Sequence, residues 1–158
     1  MVESALVVGV SGIVGNALAR HLVGEGWDVA GLARRPSADI SGLRPVAADL
    51  LDPAGLERAL EGLRPDHVFI TTWMRQPTEA ENIRVNAAMV RNLLDATGKA
   101  GSVRHVGLVT GLNHYLGPFE AYGKGSLPAT PFREEQPRLE VENLLLPSYP
   151  LWRAQVPP

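Results

Sequence analysis

The residues best suited to chemistry stand near the start of the chain. Val7-Val8-Gly9-Val10-Ser11-Gly12-Ile13-Val14-Gly15-Asn16 joins a short β-branched run to a helical pattern through glycines at 9, 12 and 15. Strand, glycine-rich turn and helix in that order suit a dinucleotide. The glycines let the backbone approach a pyrophosphate, and the helix N-terminus offers free N–H groups and the positive end of its dipole. The spacing is Gly-x-x-Gly-x-x-Gly rather than Gly-x-Gly-x-x-Gly. A βα turn that is merely tightly packed would use the same residues.

The end of the second predicted strand discriminates between nucleotides. A site for NAD usually carries an acid there, about 20 residues past the glycine turn, to accept the ribose 2′-hydroxyl. Here Arg34-Arg35 occupy the position, and no acid follows until Asp39. Two guanidinium groups suit a 2′-phosphate, so the expected cofactor is NADP(H). A solvated arginine pair at a strand end is the plainer alternative. Asp49-Leu50 follow the third predicted strand, where Asp49 has two readings, an adenine neighbour or a cap. Thr72-Trp73 follow the fourth, at the carboxyl edge where ligands of such sheets lie, although a Trp there can also simply pack. The cofactor-binding candidates are thus Gly9, Ser11, Gly12, Ile13, Val14, Gly15, Arg34, Arg35, Asp49, Leu50, Thr72, Trp73 and, ending the fifth strand, Val109.

The elements needed to position these groups are legible. Strands are predicted at Ala5–Val10, Trp27–Ala33, Arg44–Ala48, His67–Thr72 and Val103–Val109. Helices are predicted at Ile13–Val23, from Pro53 to Leu63, and over Glu79–Lys99. Gly24 and Gly26 end the first. Asp52-Pro53 reads as a cap followed by proline in the first turn, and Thr78-x-x-Glu81 as a capping box. Ile83, Ala87, Val90, Leu93 and Leu94 recur at helical spacing. Strand–helix alternation predicts an α/β fold, a Rossmann-type doubly wound parallel sheet with helices on both faces, its C-terminal part incomplete. Residues 1–143 form the expected nucleotide-binding domain, and 144–158 an irregular, proline-broken tail.

Composition narrows the function classes. A chain of 158 residues fits one domain, by a prior of about 150 residues each, and 45% hydrophobic content can bury a core. A net charge of −2 supplies no field for nucleic acid or a membrane surface. There is no cysteine, and His21, His67, His105 and His114 lack paired metal spacing, so no metal site is expected. No run reaches the roughly 20 apolar residues of a membrane span. The N-terminus lacks a basic n-region, and a cytoplasmic protein is expected.

Thr110-Gly111-Leu112-Asn113-His114-Tyr115-Leu116-Gly117-Pro118-Phe119-Glu120-Ala121-Tyr122-Gly123-Lys124 closely resembles the progesterone 5β-reductase/iridoid synthase-like enzymes, which are atypical short-chain dehydrogenase/reductases. Gly9–Asn16, Ala33-Arg34-Arg35, Asp49-Leu50, Thr72-Trp73, Glu79-Ala80-Glu81-Asn82 and Glu134-Glu135-Gln136-Pro137-Arg138-Leu139 are similar to that family as well. The Gly-x-x-Gly-x-x-Gly variant is the one extended and atypical members carry. The resemblance implies NADPH-dependent reduction of activated C=C bonds in small enones or enals. Hydride would reach the β-carbon, while a tyrosine hydroxyl, helped by a lysine, steadies the carbonyl oxygen.

This chain departs from the pattern where that chemistry resides. Asn113 stands at the family's lysine, and Leu146 at its tyrosine. Asparagine brings no charge and leucine no hydrogen bond, so the catalytic residues are unassigned and activity is in doubt. Tyr115 and Tyr122, the latter beside Lys124, read as pocket or core residues. Phe119 has two readings, a substrate-pocket wall or packing. Resemblance stops at Asn143. Leucine codons CTT-CTA-CTA followed by C read, one base along, as TTC-TAC-TAC, the family's Phe-Tyr-Tyr. The tail from Leu144 is therefore a candidate frameshifted reading. The gene sequence tests this: codons that cannot give Phe-Tyr-Tyr in another frame refute it. Three readings stand, namely a reductase, a non-catalytic NADP(H)-binding module, or a truncated product. Apolar sheet surface left uncovered by truncation keeps homo-oligomerisation open.

Overall fold

The computed structural model describes residues 2–36 and 39–109, apart from the side chain of Glu79. Candidates Asn113, Phe119 and Leu146, with Tyr115, Tyr122, Lys124 and the tail, lie outside the described residues. The elements run β1 (Ser4–Val8), α1 (Ile13–Gly24), β2 (Asp28–Ala33), β3 (Arg44–Ala47), α2 (Pro53–Leu60), β4 (His67–Ile70), α3 (Glu79–Ala100) and β5 (His105–Leu108). All strand pairs are parallel, in the order β3-β2-β1-β4-β5. The chain winds outward from β1 in one direction and then the other. Right-handed crossovers then put α1 on one face and α2 and α3 on the opposite face, as expected of a doubly wound sheet.

The central strand is apolar on both sides because both sides are covered. Ala5 and Val7 of β1, with Val29 of β2, meet Ala19 and Leu22 of α1 in one core. Leu6 and Val8 point the other way by strand alternation, and both are fully buried. Leu56, Met89 and Leu93 are buried on the two helices of that second face.

Local signals set the helix ends. Asp52 accepts a hydrogen bond from the Gly55 amide at 3.0 Å, and Pro53 opens α2. Thr78 accepts from the Glu81 amide at 3.3 Å to open α3. Gly101 closes α3 in the left-handed conformation, φ 64°. Several predicted bounds move. β1 stops at Val8 rather than Val10 because Gly9 turns away with φ 90°. β4 stops at Ile70, although Thr71 still donates its amide to Val8 O. α2 ends at Leu60 rather than Leu63, just before Gly62 turns the chain with φ 78°. Among the described residues no helix is long and apolar enough to cross a membrane.

A polar cluster fastens the amino end of the sheet, at the opposite end of β1 from the glycine turn. Glu3 bonds His67 Nε2 at 2.9 Å and accepts from Arg104 at 2.6 Å. Asp66 accepts from the Ser4 hydroxyl at 2.7 Å. His67 stacks on His105 with ring centroids 5.1 Å apart. The His67 hydrogen bond, aided by Arg104, holds the Glu3 carboxyl below its ordinary 4.5. The Ser4 hydrogen bonds, with Arg104 nearby, hold Asp66 below its ordinary 3.8. For carboxyls lowered on folding, the stabilisation is complete above the ordinary values and disappears as pH falls through the lowered ones. The melting temperature is therefore expected to drop on acidification below about pH 4.5. Glu3→Gln should flatten part of that drop in a pH series of thermal melts, and an unchanged slope would refute the assignment.

Candidate functional site

The carboxyl ends of β1, β2, β4 and β5 meet at one edge, and the glycine turn lies over it. Gly9 and Val10 donate their amides to Leu32 O at 2.8 and 3.3 Å, tying the turn to β2. Gly12 donates to Gly9 O at 2.9 Å and serves as the N-cap of α1, with no side chain to cap with. A Cβ on Gly15 would sit 2.3 Å from Gly9 O and 2.6 Å from Thr71 Oγ1. The absence of side chains at 9 and 15 thus lets the first turn of α1 lie directly on the end of β1. That turn has neither a side-chain cap nor an acid. Its leading amides, at Ile13, Val14 and Gly15, have no partner among the described residues. Outward N–H groups at a positive dipole end form a place for an anion.

Apolar side chains flank these donors. Ile13 is 93% exposed and Val14 half exposed, which is unusual for residues of their type. Trp73 and Val109, past the ends of β4 and β5, are also exposed. Val109 remains tied to the sheet through its amide, which donates to Ile70 O at 2.9 Å. Thr72 packs close under the turn, since a Cβ on Gly9 would lie 3.0 Å from Thr72 Cβ.

At the end of β2 the loop is held from two points. The Ser11 hydroxyl donates to the Arg35 carbonyl at 2.7 Å. Arg20 on α1 donates to the Asp39 carboxylate at 2.9 Å. Arg34 and Arg35 are exposed, and among the described residues neither guanidinium has a hydrogen-bond or ion-pair partner. Asp49 is not the cap of α2, since that position is Asp52; its Oδ1 accepts from the Leu51 amide at 2.9 Å and its carbonyl from the Asp52 amide, closing a turn ahead of the helix. Leu50 is buried, and its carbonyl accepts from Asn92 at 2.8 Å.

One feature of this edge escapes a reading by motif. Asn86 is buried on α3 and grips the backbone just past Trp73. It accepts from the Met74 amide at 2.8 Å and donates to the Met74 carbonyl at 2.9 Å and to Asn82 O. Asn82 accepts from the Gln76 amide at 2.5 Å. Two asparagines one turn apart near the start of a helix whose apolar residues follow a helical stripe were the available signal. Among the described residues no three His, Cys, Asp or Glu side chains gather closely enough to hold a metal.

Comparison with known proteins gives this edge a context. A model of the NAD dependent epimerase/dehydratase family matches residues 5–139. The chain is 42% identical to a (S)-8-oxocitronellyl enol synthase of Camptotheca acuminata and 40% identical to the 3-oxo-Delta(4,5)-steroid 5-beta-reductase of Arabidopsis thaliana. Each match covers 88% of this chain and 38% of the relative, so the chain spans well under half the length of these proteins. Both are of the kind that the Gly111–Lys124 stretch resembles. Among solved structures, a short-chain dehydrogenase/reductase superfamily protein from Agrobacterium tumefaciens with bound NAD matches at a TM-score of 0.63 and 27% identity. That match covers 90% of this chain and 44% of the other. The Bordetella bronchiseptica enzyme WbmH in complex with NAD+ shares the fold, with a TM-score of 0.60 and 21% identity over 75% of this chain and 42% of that one.

Proposed function

Because the chain belongs to the NAD dependent epimerase/dehydratase family, we propose that it holds NADP(H) along the carboxyl edge of its sheet and serves the reduction of activated C=C bonds in small enones or enals. The observation that carries the reading is a pairing of two features. An uncapped helix start is seated on side-chain-free backbone, and the adjoining strand end carries two arginines without a partner among the described residues. The first fits a pyrophosphate and the second a 2′-phosphate.

In this reading Gly9, Ser11, Gly12, Ile13, Val14 and Gly15 supply the pyrophosphate cradle, chiefly through main-chain N–H groups. Arg34 and Arg35 take the 2′-phosphate. Asp49 and Leu50 border the adenine, with the Asp49 carboxylate already engaged in its own turn. Thr72, Trp73 and Val109 wall the far side of the edge, and Asn86 fixes the backbone that comes after Trp73. The bound nicotinamide would supply the hydride. The names of the relatives at 40–42% identity support the enone or enal class. Calorimetric titration of the purified chain with NADPH and NADH tests the cofactor. Selective NADPH binding is expected, while equal affinity, or none from folded protein, would overturn it.

A second reading, nucleotide binding without turnover, is favoured by Asn113 and Leu146. A lysine and a tyrosine hydroxyl would be the groups that stabilise a developing enolate, and this chain places neither there. Asn113→Lys alone is expected to leave enone turnover at least about 100-fold below that of an intact relative assayed alongside, because the donor at 146 is still missing. Rates comparable to the relative from that single change would show that the hydroxyl comes from elsewhere.

A further inference from the structure

Thr72 and Trp73 span a short stretch between two fixed points. On the strand side, Thr71 donates its amide to Val8 O at 2.9 Å and its hydroxyl to the same oxygen at 2.7 Å. On the helix side, the Met74 amide donates to Asn86 Oδ1 at 2.8 Å, and Asn86 Nδ2 donates to the Met74 carbonyl at 2.9 Å. One side chain thus holds both peptide units that flank Met74. Asn86 Nδ2 gives its other hydrogen to Asn82 O at 2.8 Å. The amide group acts as one acceptor and two donors, always toward main-chain atoms. Asn86 is only 8% exposed, so each of these bonds replaces water that cannot reach it. Trp73, by contrast, is 62% exposed. Its place is set by the anchors on either side rather than by burial.

The sheet order sets what this span faces. Arg34 and Arg35 follow β2, the glycine turn follows β1, and β4 lies on the other side of β1. A dinucleotide with its 2′-phosphate at the arginines and its pyrophosphate at the turn carries its nicotinamide half toward the end of β4. We infer that Asn86 is a positioning residue for that half: by clamping Met74 it holds Thr72 and Trp73 as the wall against which the nicotinamide half is placed. The inference rests on the NADP(H) reading above. Asn86 acts through the loop and does not itself touch the nucleotide. The adenosine half, at the ends of β1 and β2, is independent of it.

The test compares Kd values, by calorimetry on the full chain, for NADP+ and for adenosine 2′,5′-bisphosphate, which lacks the nicotinamide half. The wild-type chain is expected to bind NADP+ the more tightly. N86L should weaken NADP+ about tenfold, the effect of a lost hydrogen bond, and leave the bisphosphate within about threefold. N92L removes another bond made by α3, from Asn92 Nδ2 to Leu50 O at 2.8 Å, and should leave the ratio of the two Kd values unchanged. N86D adds a pH signature. Burial and the facing carbonyls of Met74 and Asn82 raise its carboxyl above the ordinary value of about 3.9. The neutral acid still accepts from the Met74 amide and donates to one carbonyl, whereas the carboxylate donates to neither. Measured against wild type at each pH, N86D should therefore lose NADP+ affinity as pH rises from about 5 to about 8, while its bisphosphate affinity follows the wild type. This profile stands alone where N86L does not fold. Losses shared equally by the two ligands, or an N86D profile parallel to wild type for NADP+, overturn the inference while leaving the NADP(H) reading intact. A wild-type chain that binds neither ligand overturns both.

Discussion

Gly15→Ala is expected to abolish measurable nucleotide binding and to destabilise the fold. The new Cβ would lie 2.3 Å from Gly9 O and 2.6 Å from Thr71 Oγ1. Thr71 cannot yield freely, because its hydroxyl donates to Val8 O at 2.7 Å. Gly9 cannot yield either, because its amide is tied to Leu32 O at 2.8 Å and its carbonyl to Gly12. The helix start must therefore lift off the strand end. Overpacking of this kind costs about 1–3 kcal/mol. The displaced amides would lose an anion held by several of them, so NADPH affinity should fall at least about 100-fold, as for two lost hydrogen bonds. Gly24→Ala is the matched control, since its Cβ would meet nothing within 4 Å and it closes the same helix. Calorimetry and thermal melting on both variants give the comparison. Equal behaviour of the two would mean that the close seat of α1 on β1 has no part in binding.

Arg34→Ala/Arg35→Ala is expected to weaken NADPH by about 100-fold or more, the worth of two charge-assisted contacts, and to leave NADH within about threefold. The separation should be clean because the loop does not depend on these side chains. Ser11 holds the Arg35 carbonyl, which alanine retains, and Arg20 holds Asp39. An equal loss for both nucleotides would show that the arginines shape the loop and do not read the 2′ position. Raising the salt concentration should erode NADPH binding more than NADH binding in the wild type, and less so in the double variant.

What could be read from the sequence was whatever neighbouring residues decide. The Asp52-Pro53 start and the Thr78–Glu81 start are rules spanning three or four residues, and both sit where the sequence places them. The alternation of elements was legible because the central strands are short and apolar and three of the four connections carry a helix; the connection from β2 to β3 carries none among the described residues. Ends were less legible. Val10 continues the β-branched run, yet the positive φ at Gly9 has already turned the chain out of β1. Contacts between distant segments could not be read at all. Asn86 grips Met74 across the α3 start, Arg20 reaches over a loop to Asp39, and Glu3 joins His67 and Arg104. Each depends on a turn of backbone that brings remote residues together, which no spacing rule encodes. Asp49 shows the same limit on a smaller scale. Its Oδ1 closes a turn on the Leu51 amide at 2.9 Å, a bond that residue type and spacing alone do not announce.

The central place of β1 also bears on how the chain assembles. Ser4 meets Asp28 across a single helix, but its bonds to Asp66 close a separation of 62 residues. Loop-closure entropy makes the first pairing the less demanding. Parallel sheets with such distant partners fold slowly, because the long closure must precede its reward. During synthesis the β1–α1–β2 unit emerges complete before α3 exists, and domains gain structure from the N-terminal side as they appear. The segment carrying the glycine turn and the two arginines thus exists before Thr71 and Thr72, the residues past β4 against which Gly9 and Gly15 are seated. The strand ends that face it from β4 and β5 arrive last.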